Sequence, residues 1–232
     1  MFLTKDNKIK WRSLGVAFVL VLLFCGIGVF WLDRPLLVFM RNFNWAGWQF
    51  FDTFFSFKAW VVASVLMLMA SAIIKKIIDN RYSVQDTKSL KRQYLISNIY
   101  YLVSSIYKIS LFVFCSVIAS GVIAGMLKFC IGRMRPVFFE SLGVSGFFPF
   151  MNEWAFNSMP SGHTAASFAG LVIIGLMFPK IKWATWTLAI IAGISRICIG
   201  DHWPSDVILG AFIGMAAADF VKAALANLKL KV

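Results

Sequence analysis

Two histidines, His163 and His202, are the only ones in the chain, and each has neighbours that suit chemistry at phosphorus. Asp206 follows His202 by four residues, within reach to accept a hydrogen bond from one ring nitrogen. Such a bond fixes the tautomer and leaves the other nitrogen free to attack. Ser161 and Gly162 stand before His163 at the start of an apolar run. The N–H groups and positive dipole of a helix beginning there would favour an anion.

Three cations accompany the histidines. Lys128 and Arg135 are seven residues apart, nearly two helical turns, so we expect both to project from one helix face. Arg196 is the third cation. Arginine forks match pairs of phosphate oxygens, and lysine acts as a mobile point charge. A lone cation at the end of an apolar run is usually an interfacial anchor, but this convergence favours a phosphate site. We interpret Arg133 and Asp201 as solvated charges at its rim.

Composition places these residues in a membrane protein. Of the 232 residues, 60% are hydrophobic and only 14% are charged. A soluble domain of this length could not bury so much apolar surface. The net charge of +13 lies mostly in short segments beside apolar runs, as membrane topology predicts. We therefore expect no nucleic-acid partner, because no soluble domain remains to present a basic face.

The cysteines and carboxylates give no sign of a metal centre. The four cysteines, at positions 25, 115, 130 and 198, lie in or beside apolar runs without C-x-x-C spacing, which predicts neither a metal site nor a disulfide. No cluster of carboxylates supports a two-metal site, so we expect no metal and no cofactor.

The apolar runs predict an all-α, polytopic membrane protein with a bundle of six transmembrane helices. We expect these spans at 14–32, 59–74, 109–127, 164–178, 183–195 and 207–228. The first run is too long for a signal peptide and has no cleavage site, so we interpret it as a retained span. Segment 35–58 is predicted to form interfacial helices, and segment 94–107 an interfacial or helix-extending piece. Residues 1–232 are expected to form one domain.

Six spans place both termini on the same side of the membrane. The basic N-terminal tail, segment 75–92, Lys180 with Lys182, and Lys229 with Lys231 all fall on that side, which the positive-inside rule makes cytoplasmic. The histidines and their cations then lie on the opposite side. We expect an integral protein of a bacterial inner membrane with its site facing the periplasm or exterior.

The polar segments resemble the three-part signature of the type 2 phosphatidic acid phosphatase superfamily. Its patterns K-x6-R-P, P-S-G-H and S-R-x5-H-x3-D match residues 128–136, 160–163 and 195–206 in order, without a departure. The signature region, 128–206, covers about a third of the chain. The resemblance implies a phosphate clamp and three catalytic residues. The clamp would be Lys128, Arg135, Ser161, Gly162 and Arg196; His202 would be the nucleophile, Asp206 its orienting partner and His163 the acid and base.

The function implied is metal-independent hydrolysis of a phosphate monoester or pyrophosphate ester of a membrane lipid through a phosphohistidine. Lipid A phosphate, polyprenyl pyrophosphate, phosphatidylglycerol phosphate and phosphatidic acid all suit a cationic site at the outer face. Two alternatives stay open, namely a lipid-to-lipid phosphotransferase with the same site and a non-enzymatic anion transporter. A soluble haloperoxidase of the same superfamily is disfavoured by the six predicted spans.

Overall fold

A computed structural model describes residues 1–43, 45–82 and 90–226. Within these ranges the chain is mostly helical and has no β-strand, which confirms the all-α prediction. The helices are α1 (Trp11–Ile27), α2 (Asp33–Arg41), α3 (Gly47–Phe54), α4 (Phe57–Tyr82), α5 (Leu90–Ile131), α6 (Pro136–Leu142), α7 (Gly162–Met177), α8 (Lys182–Cys198) and α9 (Pro204–Ala226).

Four helical stretches are long and apolar enough to cross a membrane, so the chain is an integral membrane protein. They are Trp11–Arg41, Phe57–Asn80, Tyr94–Ile131 and Pro204–Leu225. Helices α7 and α8 have 16 and 17 residues, fewer than the roughly 20 needed for a full crossing. The count of six spans therefore stays a prediction.

The first helical stretch continues beyond the predicted end of its span. A π-helical turn (Gly28–Leu32) joins α1 to α2, and the N–H of Asp33 bonds to the carbonyl of Gly28. This turn absorbs one extra residue and restarts the α-helix at Asp33. Pro35 then falls in the first turn of α2, directly after the π-helical turn. Residues 35–41 are therefore helical and continuous with the first stretch, so their interfacial position stays a prediction, whereas 94–107 does extend α5.

Helix α7 lies at the centre of the bundle. It packs against α5, α8 and α9 and, over a smaller area, against α4. Eleven of its 16 residues are buried, among them Ala165, Ala166 and Ala169. These small side chains allow neighbouring helices to approach closely, a common device where lipid provides no hydrophobic driving force between helices.

The closest of these approaches is between α7 and α9. A Cβ added to Gly214 would lie 2.4 Å from the carbonyl oxygen of Ala165, and one added to Gly210 would lie 2.6 Å from that of Ser161. The two glycines are four residues apart and face α7 together. The α9 backbone is therefore held against the first turns of α7.

The N-terminal residues lie at the far end of α9. The N–H of Phe2 donates to Asp219 at 2.6 Å, and the Trp11 and Phe220 rings are 5.7 Å apart. Gly28 packs on Ser205 at the other end, so α1 runs antiparallel to α9. Among the basic residues used to predict orientation, Lys88, Lys229 and Lys231 lie outside the described residues.

We expect Gly214→Ala to destabilise the protein, although alanine is the better helix former by about 1 kcal/mol. The new Cβ must push the α7 backbone away, which overpacks the interface by about 1–3 kcal/mol. Thermal unfolding in detergent measures the change. The matched control is Gly125→Ala in α5, where nothing lies within 4 Å of the added carbon. A Gly214→Ala protein as stable as the Gly125→Ala protein would contradict the close approach.

Candidate active site

One end of the bundle collects the residues that the sequence singled out. The end of α5, the start of α7, the end of α8 and the turn into α9 meet there. The charges of Lys128, Arg135, Arg196 and His163 all act on His202. This end therefore holds every predicted site residue, namely Lys128, Arg135, Ser161, Gly162, His163, Arg196, His202 and Asp206.

Lys128 and Arg135 come together through a turn and not along a helix. Helix α5 ends one residue before Gly132, which has a left-handed backbone with φ +60°. A Cβ at Gly132 would lie 1.7 Å from the carbonyl oxygen of Phe148, so only glycine fits. The prediction of one shared helix face is therefore wrong. The two cations are neighbours nonetheless, because both donate to the Asn157 carbonyl.

Arg135 is held by main-chain carbonyls. Its Nε donates to the carbonyl of Trp154 at 3.0 Å, and a terminal nitrogen donates to that of Asp201 at 3.2 Å. The guanidinium lies 4.5 Å from the centre of the Trp154 ring. Burial lowers the pKa of Arg135 from its ordinary value, so an anion beside this group would be favourable.

Arg196 is paired with carboxylates from two elements. Its side chain is 3% exposed, donates to Asp201 at 2.5 Å and forms an ion pair with Asp52 of α3. The same Asp52 oxygen lies 3.7 Å from Nε2 of His163. Asp52 was expected only as part of an interfacial segment, and Asp201 only as a rim charge. Both carboxylates instead contact the predicted clamp.

His202 is almost fully buried, with 1% of its surface exposed. Its Nδ1 lies 3.7 Å from a carboxylate oxygen of Asp206. This distance is longer than a hydrogen bond but within the range of an ion pair. Burial, followed by the charges of Lys128, Arg196 and Arg135, lowers the pKa of His202 well below 6.5. The ring is therefore held neutral, the form in which a histidine acts as a nucleophile.

Ser161 caps α7 and ties it to α9. Its hydroxyl accepts from the N–H and the hydroxyl of Thr164, at 3.4 Å and 2.9 Å. Its own N–H donates to the carbonyl of Asp206 at 2.9 Å. The N–H groups of Gly162 and His163 follow in the first helical turn, where intrahelical partners are lacking. These two groups, more than Ser161, are placed to receive an anion.

Arg133 is buried, so its interpretation as a rim charge is wrong. It donates to Asp206 at 2.7 Å and to Asp33 at 2.6 Å, and it is 5% exposed. Asp33 and Asp206 are 1% and 0% exposed. Burial lowers the pKa of Arg133, but the charges of Asp206 and Asp33 raise it above its ordinary value. We refer to Asp33, Arg133 and Asp206 as the buried charge chain.

Neighbouring polar groups complete the hydrogen bonding of this chain. Ser205 donates to Asp33 through its hydroxyl, at 2.6 Å, and through its N–H, at 2.9 Å. Asp206 accepts from the Ser158 hydroxyl at 2.5 Å and from the Trp203 N–H at 2.9 Å. In the described part of the protein, no group of three or more His, Cys, Asp or Glu side chains could hold a metal ion.

Comparison with known proteins identifies the family of the chain. The family model of the PAP2 superfamily matches residues 109–229, just over half of the chain. The chain is therefore a member of the PAP2 superfamily.

Individual relatives are similar to parts of the chain. The chain is 41% identical over 106 residues to a lipid A 1-phosphatase of Rhizobium etli, covering 46% of each chain. It is 40% identical over 58 residues to an undecaprenyl-diphosphatase of Sulfolobus acidocaldarius, covering 25% of this chain and 28% of that protein. The chain thus spans about half the length of the first of these relatives and 28% of the second. A crystal structure of Aquifex aeolicus LpxE aligns over 84% of this chain and 97% of its own, with a TM-score of 0.47 and 18% identity.

The lowered pKa of His202 predicts the acid side of the pH profile. The ring stays neutral as the pH falls through 6.5, so we expect no loss of kcat/KM from protonation of His202 near that pH. The measurement is kcat/KM from about pH 4.5 to 8, corrected for ionisation of the substrate phosphate by ³¹P NMR. An acid limb with an enzyme pKa near 6.5 would contradict the neutral, buried ring.

Proposed function

We propose that this protein is a metal-independent lipid phosphatase that hydrolyses a phosphate monoester or pyrophosphate ester of a membrane lipid through a phosphohistidine on His202. One observation carries the proposal. A buried histidine lies 3.7 Å from a carboxylate and close to three cations, at one end of a membrane bundle. Membership of the PAP2 superfamily supports the same reading.

In the first step, Nε2 of His202 attacks phosphorus. Asp206 lies on the Nδ1 side of the ring, which leaves Nε2 as the attacking atom. The new P–N bond forms as the P–O bond to the lipid breaks. His163 gives a proton to the departing oxygen, so that the lipid leaves as a neutral alcohol or as a phosphate with one fewer phosphoryl group.

In the second step, water releases the phosphate. His163 takes a proton from the water as its oxygen attacks phosphorus, and the P–N bond breaks to return the electron pair to His202. Inorganic phosphate leaves, and both histidines regain their starting protonation. The two steps need no redox partner and no co-substrate other than water.

The clamp would stabilise charge on the phosphoryl oxygens in both steps. The positive side chains of the clamp are Lys128, Arg135 and Arg196, and carbonyls and carboxylates already hold them in place. Donors fixed before the reaction need no reorganisation as charge develops. Because these cations are part of the protein, the proposal requires no metal ion.

The substrate class follows from the surroundings of the clamp. Aromatic side chains of the loop before α7 are well exposed: Phe147, Phe150 and Trp154 show 46%, 68% and 57% of their surface. Aromatic rings are favoured where headgroups meet acyl chains. Trp154 also stacks on Arg135, which links this surface to the clamp. Both curated relatives described above are named for phosphate groups on lipids.

Phosphate release from a panel of lipids tests the function. We expect the purified protein to release phosphate from long-chain lipid phosphates or pyrophosphates in the presence of EDTA. His202→Ala and His163→Ala should each lower the rate at least about a hundredfold, the scale of lost acid–base catalysis. Mass analysis of the lipid products separates hydrolysis from transfer, because transfer would yield a phosphorylated acceptor lipid.

The two histidines can be told apart with p-nitrophenyl phosphate, whose leaving group needs no proton. We expect His163→Ala to accumulate acid-labile phosphohistidine from this substrate, since water attack then lacks its base. His202→Ala should accumulate none. Normal turnover in a folded His202→Ala protein, or activity that requires added Mg²⁺ after EDTA, would refute the proposal.

The active site is proposed to face the periplasm or exterior, with the termini in the cytoplasm. In a Cys130→Ala background, which removes the exposed native cysteine, we expect Val144→Cys to react with a membrane-impermeant thiol reagent in intact cells. Lys180→Cys, also exposed but at the other end of α7, should react only after lysis. The reverse pattern would place the site in the cytoplasm.

A further inference from the structure

The buried charge chain carries one negative charge that nothing inside it balances. Arg133 lies between Asp33 and Asp206, and its two terminal nitrogens each donate to one of them, at 2.6 Å and 2.7 Å. One guanidinium therefore faces two carboxylates. The Phe147 and Trp203 rings lie 5.6 Å and 5.1 Å from the guanidinium, which limits screening by water. A charge held in such surroundings is costly unless a partner is near.

The partner nearest the unbalanced charge is His202. Nδ1 of His202 lies 3.7 Å from Asp206 and has no hydrogen-bond partner among the described residues. Asp206 itself is fixed by Arg133, Ser158 and the Trp203 N–H, so it cannot rotate freely. While the ring is neutral, Asp206 has no charged ion-pair partner other than Arg133 among the described residues. Attack on phosphorus turns the ring into a cationic N-phosphoimidazolium, which the charge then matches.

We propose that Arg133 and Asp33 are positioning residues that fix Asp206 and preserve its negative charge for the phosphorylated form of His202. This inference rests on the proposed function and adds two residues to it. Arg133 fixes the direction of Asp206. Asp33 neutralises Arg133, because without Asp33 the guanidinium would cancel the charge of Asp206. The chain thereby favours the transition state over the ground state, which is the requirement for catalysis.

The π-helical turn of the first span gives Asp33 its place. The turn ends at Leu32, and Asp33 follows it as the first residue of α2, buried against the start of α9. There Asp33 accepts from the N–H and the hydroxyl of Ser205, one residue before Asp206. Asp33 thus connects the first span to Asp206 in two ways, through the side chain of Arg133 and through the neighbouring residue Ser205.

Asp33→Asn tests the charge with little change in shape. The charge chain becomes neutral, so we expect kcat to fall about 10–100-fold. This is the scale of the loss when the hydrogen-bond partner of a metal-bound histidine is replaced. KM should change less than about twofold, because Asp33 does not face the phosphate clamp. Quenched-flow trapping with labelled substrate should show slower formation of the phosphohistidine.

The matched control is Asp219→Asn. Asp219 is 1% exposed in the same helix as Asp206, yet it lies at the far end and bonds to the Phe2 N–H. The chemical change and the burial are the same, and the contact with the site is missing. We expect Asp219→Asn to keep the kcat of the unmodified protein, even where its thermal stability falls as far as that of Asp33→Asn.

A double variant separates charge from structure. Arg133→Gln leaves two buried negative charges, whereas Asp33→Asn with Arg133→Gln restores a single one. We expect the double variant to have a higher kcat than Arg133→Gln alone. A purely structural role predicts the opposite, since two disrupted contacts would cost more than one.

The outcomes distinguish this inference from the function on which it rests. If wild-type phosphate release depends on His202 but Asp33→Asn has normal kcat, the charge chain has no positioning role and the phosphatase proposal stands. A kcat that falls only in proportion to the unfolded fraction would overturn the inference in the same way. If the wild-type protein releases no phosphate from any lipid, the proposed function itself fails.

Discussion

The backbone contact between α7 and α9 is the constraint on which the site depends. Gly210 has no room for a Cβ beside the carbonyl of Ser161, and the N–H of Ser161 bonds to the carbonyl of Asp206. The helix start that precedes His163 is thus locked to the segment that carries His202. Without side chains between the two backbones, their separation cannot vary by a rotamer change. A reaction shared by two histidines needs such a fixed distance.

Charge is the second organising feature. The site buries three arginines, yet each is paired: Arg133 with two carboxylates, Arg196 with Asp52 and Asp201, and Arg135 with main-chain carbonyls. Pairing offsets the cost of taking these cations out of water. The two kinds of partner differ in consequence. Carbonyls leave the charge of Arg135 available to an anion, whereas carboxylates give Arg196 partners with which a phosphate must compete.

The sequence allowed the members of the site to be predicted, but not how they are held. The types and order of Lys128, Arg135, His163, His202 and Asp206 were enough to group them, because each lies at the end of an apolar run. Their geometry depends on single backbone positions. After α5 ends, Gly132 has a left-handed backbone, and the Phe148 carbonyl leaves no room there for a Cβ, a long-range contact that helical spacing cannot reveal.

The buried carboxylate Asp33 was missed for a related reason. Asp33 stands beside Arg34 and Pro35, a sequence that usually marks the end of a span at the membrane surface. Its burial requires the π-helical turn, which has no reliable sequence signal. Arg133 did carry a usable clue, since it lies two residues from Arg135 in a segment with Gly132. An extended segment would have placed both on one side.

The length of α7 has a consequence for how a lipid is handled. Its 16 residues span about 24 Å, several ångströms less than the ~30 Å of a hydrocarbon core. In the proposed orientation, with the inner end of α7 at the cytoplasmic boundary of the hydrocarbon core, His163 at its outer end would lie below the plane at which the acyl chains end. Raising a lipid out of the bilayer costs about 0.8 kcal/mol for every methylene exposed to water, so exposing two methylenes would weaken binding about 15-fold. A reaction centre at this depth avoids the cost of exposing methylenes to water, because the phosphate can enter sideways while the acyl chains stay in their leaflet.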